Sequence, residues 1–263
     1  MISVVTRVKQ KQIAQLIEEG KRLDGRDLTD YRQMKIEQGI IERAEGSARV
    51  LLGKTEVVVG VKIEMGKPFP DTPNEGVLTV NAELTPIASP AFEPGPPGEV
   101  SIELARIVDR GIRESKCIDT SKLVIEPGKQ VFVVFVDIYA LNHDGNLIDA
   151  SALAAVSALL NTKMSNYEIK EGEVKIKPGY EQLPMKKHPI TVTTAKIGNK
   201  LVVDPNLEEE EVMDARISFA FDDDNNICAI QKGGRGYFEP QQVIEAAKIA
   251  QTKAKELRKK LNW

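Results

Sequence analysis

The chain has 263 residues, 41% hydrophobic and 29% charged. That is enough apolar material for a sizeable core and too much for a disordered polypeptide. With 36 basic against 39 acidic residues and a net charge of −3, a uniformly basic nucleic-acid binder is excluded, so any cationic surface must be local or shared with a partner.

The N-terminal segment lacks the apolar core of a signal peptide, and no apolar run approaches the roughly 18 residues of a membrane span. A soluble, cytoplasmic protein is expected. Cys117 and Cys228, the only cysteines, form neither a disulfide framework nor a CxxC zinc pair. Within residues 1–20, Ile13, Leu16 and Ile17 recur at helical spacing and predict a docking helix that ends near Gly20. In the next stretch, "KRLDGRDLTDYRQ", Arg22, Arg26 and Arg32 are interleaved with Asp24, Asp27 and Asp30. This spacing predicts local ion pairs and turns.

Residues 33–66 alternate apolar and polar positions and are rich in β-branched residues, which predicts strands. Pro68, Pro70 and Pro73 mark a loop, "VLTVNAELTPIA" is a further strand, and "FEPGPPGE" is a rigid connector. Residues 99–115 are expected to be helical, and "KLVIEPGKQVFVVFVDIYAL" to hold two strands split at "EPGK". The helix "ALAAVSALLNTKM" follows a short turn. Residues 165–189 are polar and expected to be loop-rich, and the lobe boundary is placed there. Beyond it, "ITVTTAKIGNKLVVD" predicts a hairpin around Gly198-Asn199, and "ARISFAFDDDNNICAIQKGG" a second hairpin with an acidic tip. A C-terminal helix over 239–261 has Pro240 in its first turn. The fold class is α+β (mixed α/β). Two related lobes of mixed sheet and helices are expected, over 21–165 and 185–263.

Arg106, Arg110 and Arg113 fall at i, i+4 and i+7 of the 99–115 helix, on one stripe opposite Leu104, Ala105, Val108 and Ile112. Three guanidiniums on an outward stripe suit successive phosphates. The alternative is a solvated face paired with Glu103 and Asp109. Gly111, costly inside a helix, points to close approach of another backbone. Lys232 and Arg235 in "KGGRGYFEP" are expected on a surface turn. The run Glu208–Glu211, bracketed by Asp204 and Asp214, is expected as a solvated loop or a subunit contact.

The stretch "NHDGNLIDAS" at 142–151 has the layout of an anion cradle: a strand, a Gly-containing turn and a helix start. Yet Leu147 and Ile148 offer no side-chain donor. Asp149 is expected to cap the helix.

Together, "RLDGRDLTDYR", "EGSARVLLGKTEVVVGVK", "FEPGPPG", "IELARIVDRGIRESKCIDTSKLVIEPGK" and "DGNLIDASALAAVSALLNT" resemble the ribonuclease PH family over about residues 20–260. The similarity is nearest to the non-catalytic ribonuclease-PH-like subunits of the archaeal exosome. The resemblance implies a ring of three heterodimers that shortens RNA from its 3′ end, with inorganic phosphate as the attacking group. Active relatives carry a hydroxyl and a guanidinium in the cradle. The matching positions here are Gly145, Asn146, Leu147 and Ile148, and Asp149 would bring a negative charge to about where phosphate sits.

The resemblance therefore implies no catalytic residue, no metal ligand and no cofactor in this chain. Phosphate, with or without Mg2+, would belong to a catalytic paralogue. Further expected partners are RNA-binding cap subunits and single-stranded RNA. Arg106 and Arg110 match RNA-contacting arginines of the non-catalytic subunits, and Arg113 extends the stripe. Two alternatives stay open: an active phosphate-dependent exoribonuclease with an atypical cradle, and an RNA-binding or ribosome-associated module that needs no ring.

Overall fold

The computed structural model describes residues 4–170 and 173–261. Helix α1 (Val4–Glu18) is followed by strands β1 (Met34–Gln38), β2 (Gly46–Leu52), β3 (Thr55–Gly66) and β4 (Val77–Leu84). Helix α2 (Glu99–Glu114), the short β5 (Val124–Glu126) and the long β6 (Gln130–Asn142) come next. The sheet order is β1-β2-β3-β6-β4, with β5 on β6. Only β4 runs parallel to its neighbour, β6. Strand alternation sets the faces: Thr55, Val57, Val59 and Val61 of β3 are buried, whereas Glu56, Val58 and Lys62 point away from the core.

Helix α3 (Leu147–Leu160) is buried from Leu147 through Leu159. Its sequence is apolar or small all round, as a helix covered on every side requires. It packs on β2 and β3 of the first sheet and on β9 (Ile190–Ile197) of the second. Between them in sequence lie β7 (Lys163–Lys170) and β8 (Glu173–Gln182), an antiparallel hairpin that pairs with no other strand among the described residues. This is the stretch expected as loop. Residues 175–182 of β8 are exposed on both faces, so neither side needs an apolar row and the polarity imitates a loop.

The second sheet, in the order β10-β9-β11-β12, is antiparallel throughout and adds β10 (Lys200–Val203), β11 (Ala215–Phe221) and β12 (Ile227–Gly233). The one-turn helix α4 (Leu207–Glu210) sits between β10 and β11. Helix α5 (Pro240–Leu261) lays Ala246, Ala250, Ala254 and Leu257 on Phe219, Phe221 and Val192. Helix α1 docks Ile13 and Ile17 against Ile197 and Val202. Tyr31 and Met34 touch the cores of both lobes. No helix among the described residues is long and apolar enough to cross a membrane.

Candidate functional site

The turn between β6 and α3 is held by its backbone oxygens. The Thr55 hydroxyl donates to Gly145 O (2.7 Å), and Arg32 donates to Asp144 O (2.6 Å) and Gly145 O (3.2 Å). Gly145 has φ of +85°, and a Cβ there would lie 2.4 Å from the backbone carbon of Asn206. The glycine therefore lets the second lobe's chain lie directly on the turn. Asn146 is left-handed (φ +51°), and its side chain accepts from Asp149 N.

Asn146 is thus the N-cap, not Asp149 as the sequence suggested. The helix starts at Leu147, which places Asp149 inside the first turn and sends its side chain into the core. The Asp149 carboxyl accepts from the Tyr31 hydroxyl (2.7 Å), Asn146 Nδ2 (2.9 Å), Thr193 N (3.0 Å) and the Thr193 hydroxyl (2.7 Å). Burial pushes its pKa up to about 6, against the pull of those donors. Its charge is spent joining the lobes and does not face an anion site.

Leu147 and Ile148 are only 7% and 8% exposed. With Phe92, His143 and Leu104 they line a cavity of about 110 Å³, whose polar edge is Glu210 and Arg216. An apolar wall of this kind gives a dianion no compensation for lost water. The first helix-start amide, Asn146 N–H, already donates to Glu210 Oε1 at 2.8 Å.

The acidic run is therefore not a solvated loop. It forms α4, closed by a reciprocal capping pair between Asn206 and Glu209. Buried Glu209 takes Arg22 in two contacts of 2.8 and 2.5 Å. Glu208 pairs with Lys9 on α1. Burial drives the Glu210 carboxyl up to about 7. Four consecutive glutamates read as solvated because the sequence does not show the buried arginine that waits for one of them.

The Arg22, Arg26 and Arg32 group builds the local turn as expected, Arg22 and Arg26 donating to Asp30 O (3.3 and 2.9 Å). Among the described residues its one local ion pair is Arg26 with Asp24 (2.8 Å). Arg26 (3.0 Å) and Arg32 (2.7 Å) both pair with fully buried Asp204, which also accepts Asn146 Nδ2 at 2.8 Å. Asp204 is thus neutralised by two guanidiniums and joins the lobes. Asp214 accepts Gly198 N in a surface turn. Among the described residues no cluster of His, Cys, Asp and Glu could hold a metal ion. Buried Cys117 is an inert thiol, its pKa pushed up to about 12.

Arg106, Arg110 and Arg113 are all exposed and border one shallow groove beside Leu78, Thr79 and Val80 of edge strand β4. Their engagement differs. Arg113 is tied to Asp109 (2.6 Å) and to Leu78 O (3.1 Å). Arg110 makes one long contact to Gln231 (3.4 Å), and Arg106 makes no ion pair or hydrogen bond among the described residues. Glu103, considered as their partner, instead holds Arg216 (2.6 Å). Gly111 meets side chains, Thr191 and Ala220, at an ordinary 3.6 Å from a built Cβ, and no backbone. Lys232 ties its own turn through Gly234 O (2.6 Å). The sequence reading missed Asp204 and Glu210; an aspartate before proline, and one glutamate among four, carry no pattern that marks them.

Residues 30–165 match the 3′ exoribonuclease family, domain 1, and residues 187–253 match domain 2. Exosome complex component Rrp42 of Thermococcus onnurineus is 53% identical over 262 residues, covering 99% of this chain and 96% of that protein. A chain of the Archaeoglobus fulgidus exosome with RNA bound to the active site superposes with a TM-score of 0.91 at 46% identity, covering 98% of this chain and 100% of that one. A chain of an archaeal exosome core gives 0.87 at 43% identity, covering 99% and 98%.

Proposed function

Because the chain belongs to the 3′ exoribonuclease family, we propose that it is a non-catalytic subunit of an archaeal exosome ring that degrades RNA from the 3′ end. A ribonuclease-PH-like paralogue in the same heterodimer supplies the phosphate cradle and the general acid. This chain holds that active site in shape and lends cationic contacts to the backbone of single-stranded RNA. RNA-binding cap subunits complete the assembly, in the cytoplasm.

One observation carries the reading: where phosphorolysis needs a dianion held beside a polyanion, the start of α3 presents buried Leu147 and Ile148. Loss of one preorganised donor costs roughly 3 kcal/mol in a transition state, and here both the hydroxyl and the guanidinium are absent. Phosphate, and Mg2+ where the chemistry uses it, then belong to the paralogue.

The assignment of RNA contact to Arg106 and Arg110 is supported by their exposure, their spacing of one helical turn and their few partners. Phosphate contacts hold any sequence alike, which suits degradation. The near-neutral whole with a local cationic groove suits a subunit whose other surfaces meet neighbours.

The test is release of nucleoside diphosphates from RNA in phosphate buffer, by the isolated chain and by the chain mixed with its paralogue. Products are expected only in the mixture. Release by the isolated chain would favour an active enzyme with an unusual cradle, and RNA binding with no paralogue association would favour a stand-alone RNA-binding module.

A further inference from the structure

The N-terminus of α3 is not empty. Asn146 N–H donates to Glu210 Oε1 (2.8 Å), so a carboxylate oxygen occupies the backbone contact that an anion at a helix start would take. The next amides, of Leu147 and Ile148, reach no acceptor among the described residues. Glu210 also borders the cavity lined by those two side chains, together with Glu103 and Arg216.

Its delivery is rigid. Helix α4 is closed by the Asn206–Glu209 capping pair, Glu209 is gripped by buried Arg22 (2.5 Å), and Leu207 N donates to Asp144 O (3.1 Å). The backbone of Asn206 lies against Gly145, where no larger residue fits. Four ties therefore fix where the Glu210 side chain starts.

We propose that the Glu210 carboxyl, presented by the second lobe, closes the helix start of this chain to inorganic phosphate. The inference deepens the non-catalytic reading and rests on it. Absent donors make the turn a poor cradle, and Glu210 adds a filled contact and, when ionised, a like charge. Arg216 stays neutralised by Glu103 and cannot recruit phosphate past the carboxylate.

The experiment titrates the full-length chain with inorganic phosphate by isothermal calorimetry and by phosphorus NMR, comparing wild type with Glu210→Ala, Glu210→Ser and Glu210→Gln. Removing a carboxylate from a helix N-terminus frees an interaction of about 2- to 30-fold in affinity for a competing anion. Glu210→Ala and Glu210→Ser should therefore bind phosphate at least about twofold more tightly than wild type. Glu210→Gln should stay closed, because its side-chain carbonyl still accepts Asn146 N–H. The serine variant keeps the comparison in hand if the alanine variant does not fold. A folded small-residue variant that binds no better than wild type overturns the proposal and leaves the non-catalytic reading standing. RNA shortening by the isolated wild-type chain overturns that reading instead.

Discussion

Arg106 and Arg113 lie on one stripe of α2, yet the structure gives them different freedom. Arg113 is occupied by Asp109 and Leu78 O, while Arg106 is unengaged among the described residues and Arg110 nearly so. Each phosphate contact to a single strand contributes about 0.7 to the slope of log affinity against log salt. In the ring, Arg106→Ala plus Arg110→Ala should lower that slope by about 1.4 and raise the RNA concentration needed for half-maximal rate. Arg113→Ala should change it far less. An unchanged slope in the double variant would make the stripe a solvated face.

Asp149 carries the pH dependence at the same scale. Its folded pKa, about 6, lies above the unfolded value of 3.8, so the folded chain binds this proton more tightly. The stabilisation from this group is complete below 3.8 and is lost as pH rises through about 6, an effect of up to about 3 kcal/mol. Asp149→Asn imitates the neutral carboxyl and does not titrate. Denaturant unfolding at pH 5 and pH 8 should show the variant gaining on wild type at the higher pH. A difference independent of pH would mean that the four donors hold Asp149 ionised throughout.

Among the elements, α2 offers a direct test of packing. A methyl at Gly111 would meet Thr191 and Ala220 at 3.6 Å, and alanine is favoured over glycine inside a helix by about 1 kcal/mol. Gly111→Ala should raise the melting temperature by about 2–4 °C; a fall would show that the second sheet approaches more closely. The amphipathic pattern of α2 and the small-residue run of α3 were legible because each reports its own surroundings. The β7–β8 hairpin was not, since β8 is exposed on both faces over 175–182 and β7 offers, among its described residues, only Met164 and Tyr167 to the core, too few for an apolar row to read. The capping of α3 was misread by three residues. Asn146 adopts a left-handed conformation that the sequence does not announce, and Asp149 has its partners, Tyr31 and Thr193, in distant segments.

Across the whole molecule, a polar junction joins the two lobes. Arg22, Arg26 and Arg32 come from one short segment, and Asp204 and Glu209 from the other lobe. The sequence displayed these charges but paired them with their neighbours, because interleaved aspartates offer an equally plausible local solution. The resemblance to the ribonuclease PH family was legible through motif order along the chain, while the fate of the cradle needed coordinates: an asparagine cap, two buried apolar side chains and a glutamate from the facing lobe.

The central claim is that turnover in the assembled ring comes from the neighbouring polypeptide. It is tested most directly by reconstituting the ring from this chain and a paralogue whose phosphate-binding guanidinium has been removed, then measuring nucleoside diphosphate release from RNA. The account predicts an assembled ring that still binds RNA and releases no product above background. Phosphate-dependent release from that ring would contradict it.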